Sequence, residues 1–208
     1  MVYRFVFLFT LLTVTTAHAQ HHPMHAATAM VSPFNRMMDS MMVCMDTVPA
    51  SPSADQYFLA LMLPHHQGAV DMATYEISHG RNTQLVQMAK SIRAEQQIDM
   101  QWMNRWLRDL THVQTSDPDH VRLQGQAMMT MMKQLPPAGL LRDTDQAFAR
   151  LMVPHHQAAV VMAQIVIRYG QDPAVRRYAE RLISAEQIEI DQLHEFIDSR
   201  KNQAKQVK

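Results

Sequence analysis

The sequence predicts an all-α chain in which four long helices form a bundle, and three observations carry that prediction. Glycine is scarce, at 5 in 208 residues, and no stretch alternates apolar and polar residues as a strand does. Apolar residues instead recur at spacings of three and four. The chain also overlays itself when slid by about ninety residues. Leu61-Met62-Leu63-Pro64-His65-His66-Gln67 meets Leu151-Met152-Val153-Pro154-His155-His156-Gln157, and Gly80 meets Gly170. Such self-similarity is the mark of a tandem duplication, and positions kept by both copies are informative by themselves.

Each copy carries the same helix signals. Ser53 with Gln56 resembles a capping box, and Asp143 with Gln146 stands in the matching place, so a long helix starts at each. Gly80 and Gly170 stop those helices. Asn82 caps the next helix in the first copy; Asp172, followed by Pro173, caps it in the second. The predicted long helices are 54–79, 83–110, 144–169 and 173–198. A shorter Met-rich helix precedes each pair, near 34–45 and 121–134. The repeats span 33–113 and 121–200 and share one bundle domain, with a disordered tail over 201–208. The connection between the pairs is long enough for a ferritin-like crossover, the expected arrangement, with an up-down bundle as the alternative.

The first nineteen residues read as a secretory signal. Arg4 supplies the charge, 5–14 is an apolar run too short to span a bilayer, and Ala17-His18-Ala19 suits signal-peptidase cleavage. A flexible His-rich segment, 20–32, would follow. No later stretch is long and apolar enough to span a membrane, so a periplasmic location is expected. Basic and acidic residues balance at 19 each, which gives no footprint for nucleic acid. The single cysteine, Cys44, excludes an internal disulfide.

Composition points to metal ions as partners. There are 19 methionines and 12 histidines. Thioethers and imidazoles together suit copper, as Cu(I) or Cu(II), better than magnesium, calcium or manganese. The helix seams say where a site would lie. They run Phe58, Met62, His65, Ala69, Met72 and Phe148, Met152, His155, Ala159, Met162. Opposite them run Ile92, Gln96, Asp99, Met103 and Leu182, Glu186, Glu189, Leu193. Folding each hairpin about its glycine brings the polar interruptions to one height. The inferred cluster is His65, His155, Gln96, Asp99, Glu186 and Glu189, flanked by Met62, Met72, Met152 and Met162. A purely structural polar cluster would look the same. His66 and His156, turned about 100° from the seam, are either second ligands or flank residues. Pro64 and Pro154 lie inside their helices and should kink them just before each His pair.

Two further sets have metal-binding character. Cleavage after Ala19 would expose Gln20-His21-His22-Pro23-Met24-His25, a terminus able to chelate Cu(II) through amine, amides and imidazole; an ordinary His-rich tail reads alike. Met38, Met41, Met42 and Met45 share a face of the first short helix and could converge with Cys44, or simply cover the bundle.

At these residues the chain resembles the family catalogued as domain of unknown function 305, which includes CopM-like periplasmic copper-binding proteins. The resemblance rests on Asp55, Phe58, Met62, Pro64-His65-His66-Gln67-Gly68-Ala69 and Met72-Ala73, then Gln96, Asp99, Met103 and Trp106-Leu107. The second copy matches from Met152 to Ala163 and departs later, with Glu186 for Gln96, Leu193 for Met103 and Phe196 for Trp106. The resemblance implies a ferritin-like fold and binding of copper or silver in metal resistance. The expected function is non-enzymatic metal buffering, delivery or resistance, with a copper efflux or acceptor protein as a further partner. Two other readings compete. A di-metal oxidase needs Glu-x-x-His on two helices, yet Glu76-x-x-His79 and Asp191-x-x-His194 each occur in one copy only. A helical adaptor or sensor would use its Met-rich helices to bind a protein.

Overall fold

The computed structural model describes residues 32–110 and 115–206, with side chains described to residue 202. The expected signal peptide, nearly all of the 20–32 segment and the candidate ligands His21, His22, Met24 and His25 lie outside the described residues. Among the described residues all regular structure is helical: α1 Pro33–Asp46, α2 Ala54–His79, α3 Thr83–Asp109, α4 Asp119–Lys133, α5 Thr144–Tyr169 and α6 Pro173–Gln206. A single 3₁₀ turn, Ala138–Leu140, precedes α5. Helix α6 continues to Gln206, through part of the stretch expected as a disordered tail. No described helix is long and apolar enough to cross a membrane.

The helix starts follow the cap residues. The side chains of Ser53, Asn82 and Asp143 accept from the backbone N–H of Gln56, Leu85 and Gln146, at 3.3, 3.0 and 2.9 Å. Asp172 accepts from Ala174 and Val175 at 2.7 and 3.1 Å. Each bond satisfies an amide that the first helical turn leaves unpaired. Helices α2 and α5 run unbroken through Pro64 and Pro154.

The helix ends correct one expectation. Gly80 and Gly170 are extended, with φ of −65° and −75°, and do not adopt the left-handed cap conformation. What they provide is room. A Cβ on Gly80 would collide with the Glu76 carboxylate and lie 2.7 Å from the Glu76 carbonyl oxygen. A Cβ on Gly170 would collide with the Asp55 carboxylate and lie 2.6 Å from the Val166 carbonyl oxygen.

These carboxylates set the topology. Asp55, at the start of α2, accepts through Oδ2 from the N–H groups of Gln171 and Asp172 at 2.8 and 3.2 Å. Asp145, at the start of α5, accepts through Oδ1 from Arg81 and Asn82 at 2.9 and 3.0 Å. The start of each helix thus sits on the turn that ends the other, and α2 and α5 pack antiparallel. Since α3 folds back on α2 and α6 on α5, the chain must return the length of the molecule between α3 and α5. Helix α4 lies on that return path, packed on α5 and touching α2.

The core lies between these helices. Phe58, Met62, Met72, Phe148, Met152 and Met162 are fully buried in it. Helix α1 is fixed across both halves by Phe34, whose ring packs 5.2 Å from Tyr75 and 6.4 Å from Phe148. The α4 side is held by polar bonds: Gln124 donates to the Met162 carbonyl at 3.1 Å, and the His120 ring sits between the carbonyls of Asp117 and Ser51.

Because two backbone amides depend on its carboxylate, Asp55→Ala should lower unfolding free energy by about 2 kcal/mol. Asp55→Asn, which keeps an acceptor, should lose about half as much. Urea denaturation of the three proteins checks this.

Candidate metal centre

The two Pro-His-His segments meet where α2 crosses α5, and all four imidazoles are fully buried. His65 and His155 lie face to face, with ring centroids 3.8 Å apart and planes 33° apart. His155 Nε2 lies 3.1 Å from the His65 carbonyl oxygen, so it carries the N–H and its Nδ1 keeps a free lone pair. Neither ring nitrogen of His65 has a hydrogen-bond partner, nor does His155 Nδ1. Burial pushes both imidazoles well below the ordinary histidine range, and the neighbouring imidazoles push them further. The pair is neutral, the form that ligates metal.

The carboxylates face the other histidine of each segment, which corrects the expected assignment. His156 Nε2 lies 2.9 Å from Glu189 Oε2, and its Nδ1 lies 3.8 Å from Glu186 Oε1. His66 Nε2 lies 3.9 Å from Asp99 Oδ2 and 3.1 Å from the Tyr178 hydroxyl. The buried arc of α2 and α5 is wider than one seam, since each packs against its hairpin partner, the other long helix and a short helix. His65 and His155 therefore face one another, while His66 and His156 face α3 and α6.

The two sides are electrically unequal. Burial opposes charge on His156, but Glu186 and Glu189 outweigh it and hold the imidazole above its ordinary range. On the first side burial prevails over Asp99, and His66 is held below that range. Burial lifts Glu186 to about 7, helped by Glu189 and opposed by His156 and by Gln96, whose Nε2 donates to it at 3.2 Å. Asp99 has a second partner, Arg181, at 3.3 Å.

The structure therefore brings together eight polar side chains at the crossing, the four histidines with Gln96, Asp99, Glu186 and Glu189, while Met62 and Met152 are buried one turn before the His pairs. Met72 and Met162 are buried two turns further on. Among the described residues no three His, Cys, Asp or Glu side chains already converge as a metal-binding group. The methionines of the expected α1 patch divide, with Met42 only partly buried. Met38, Met41 and Met45 point into the core, whereas Cys44 is exposed. A cavity of about 330 Å³ does bring Met41 and Cys44 to one wall with Met100, a residue the sequence did not single out.

Tyr178 is the functional-looking residue that sequence reasoning missed. It is buried, its hydroxyl lies between His66 Nε2 and Met103 Sδ, and Trp106 packs 5.3 Å from its ring. It lies three residues after Val175 and four before Leu182, squarely on the seam. Met88 occupies the matching place in the first half, so the repeat gave no polar signal there. Of the Glu76-x-x-His79 pair, Glu76 is buried facing α5, while His79 is exposed and stacked on Tyr75.

Several known proteins are similar to this chain. Solved structures of CopM in Ag-bound, Cu(I)-bound and Cu(II)-bound forms match 70% of this chain and 95–97% of theirs, with 25–26% identity and a TM-score of 0.54. A DUF305 protein from Streptomyces coelicolor matches 73% of the chain and 96% of its own, with 22% identity and a TM-score of 0.56. An uncharacterized protein, L153, of Acanthamoeba polyphaga mimivirus is 31% identical over 61 residues, 29% of this chain; the match spans 40% of that relative's length. The family model described as domain of unknown function (DUF305) matches residues 10–107 and again 55–197, so this chain belongs to the DUF305 family.

Proposed function

We propose that this protein is a non-enzymatic copper-binding protein, also able to take silver, that buffers or delivers the metal outside the cytoplasm. In this reading residues 1–19 are a cleaved signal peptide, and the mature chain is a ferritin-like four-helix bundle made by duplicating one hairpin. The observation that carries it is the set of four buried imidazoles at the α2–α5 crossing, of which His65 and His155 keep ring nitrogens without partners. Leaving so many polar atoms without partners in a core is costly unless something binds them. The likeness to CopM, solved with Cu(I), Cu(II) and silver, supports the choice of metal. His65 and His155 would be the primary ligands, with Met62 and Met152 as soft donors within one helical turn. The histidine rings would have to turn to converge on an ion. His66 and His156 would complete the shell or hold it through Asp99, Glu186 and Glu189. Met41, Cys44 and Met100, which line one cleft, would offer separate sulfur donors, and the N-terminal His21, His22, Met24 and His25 a Cu(II) chelate. A copper efflux or acceptor protein would be the natural recipient.

Metal analysis of the mature chain refolded with Cu(I), Ag(I) and Zn(II) in competition tests this. Copper or silver should remain bound after dialysis and zinc should not. Loss of all copper at micromolar competition would sink the proposal.

A further inference from the structure

Glu76 lies outside the histidine crossing, at the last turn of α2, and nothing proposed above uses it. It is fully buried, and neither carboxyl oxygen receives a hydrogen bond from a donor. The side chain it faces is another acceptor, Asp145 at the start of α5. Gly80 leaves the space that Glu76 occupies, since a Cβ there would collide with its Oε1.

We propose that Glu76 is a resident proton site: it is held as the neutral acid, its O–H donating to Asp145, and the joint between the two hairpins closes on that proton. Asp145 is the accepting member of the pair. Its Oδ1 is committed to the N–H groups of Arg81 and Asn82, at the positive end of α3. An ionised Glu76 would face this acceptor with no donor of its own, buried from solvent.

The opposite joint supplies an internal comparison. There Asp55 makes the equivalent bonds to Gln171 and Asp172, and the residue matching Glu76 is Val166, also fully buried. The same place thus takes an apolar side chain in one half and a carboxyl in the other, as expected for an uncharged carboxyl. The charged groups acting on Glu76 are Asp145 and Asp143 of α5; the α3 side presents backbone amides and uncharged Asn82, and His79 is turned out onto Tyr75. Arg36 of α1 lies with His79 along the outer groove of α2. Burial, then Asp145, then Asp143, lift the Glu76 carboxyl from an ordinary 4.5 to about 8.

The sign follows from proton counting. Between the unfolded and folded values the folded protein holds a proton that the unfolded chain has released, so the wild type loses stability as pH rises. The loss stops above the folded value, where both states are ionised. Glu76→Gln keeps a donor toward Asp145 and cannot ionise.

The test is urea denaturation of metal-free wild type and Glu76→Gln from pH 5 to pH 10, with the ratio of their unfolding constants plotted against pH. That ratio should climb by up to roughly tenfold per pH unit through the middle of the window and flatten near the folded value. Profiles that stay parallel throughout would overturn the proposal. If Glu76→Gln does not fold, carbon NMR of the labelled wild-type carboxyl decides. Titration near 8 supports the proton site, and titration near 4.5 overturns it.

Discussion

His156→Ala should lower the stability of the metal-free protein by about 3 kcal/mol at neutral pH, more than alanine at any of the other three histidines. The imidazole is the cation of a buried group: it faces Glu189 at 2.9 Å and Glu186 at 3.8 Å. Removing it leaves two carboxyls side by side without a counter-charge, and opens a cavity as well. Breaking a buried ion pair costs about 3–5 kcal/mol. The expected value is at the low end because Glu186, already lifted to about 7, can take a proton, and Glu189 is partly exposed. Adding Glu186→Gln to His156→Ala should recover part of the loss. His66→Ala should cost less, since Asp99 retains Arg181.

The pH dependence of this group has a definite sign. His156 titrates above its ordinary 6.5 in the folded protein, so its contribution is complete below that value and is lost as pH rises through the folded one. Urea denaturation at pH 6 and pH 9 checks both points. A loss under ~1 kcal/mol at pH 6, the scale of an exposed ion pair, would contradict the electrostatic account.

Much of this arrangement is legible in the sequence, for reasons that particular residues make plain. Helix starts were readable because Ser53, Asn82, Asp143 and Asp172 act on amides two or three residues away, a purely local interaction. The height of the polar cluster was readable because hairpin geometry about Gly80 and Gly170 is simple counting. Which histidine of each pair meets the carboxylates was not. Three-four spacing identifies one seam, whereas α2 and α5 are buried on several sides at once, and neighbouring residues 100° apart both end inside. The clasp from Asp55 to Gln171 and Asp172 was invisible for another reason: its partners are more than a hundred residues apart. Gly80 and Gly170 are legible as helix ends, but their extended backbone is not. Part of their need for space is local, set by the carbonyls of Glu76 and Val166, but the contact of Gly170 with Asp55 arises only once α2 and α5 have packed. Tyr178 escaped because the two halves differ there.

That inequality between halves bears on metal binding. His65 and His155 are neutral and carry free lone pairs, whereas His156 must give up a proton to become a ligand. Copper held at the crossing should therefore depend chiefly on His65 and His155. Replacing groups that only orient ligands typically costs about 10–100-fold in metal affinity, so removing two ligands should cost roughly 100-fold or more. The most direct measurement is a Cu(I) competition titration of the wild type against the His65→Ala, His155→Ala double variant, both shown to be folded by circular dichroism. The account predicts loss of the tightest site in the variant, with weaker sulfur sites remaining. Equal affinity and equal stoichiometry in the two proteins would contradict it.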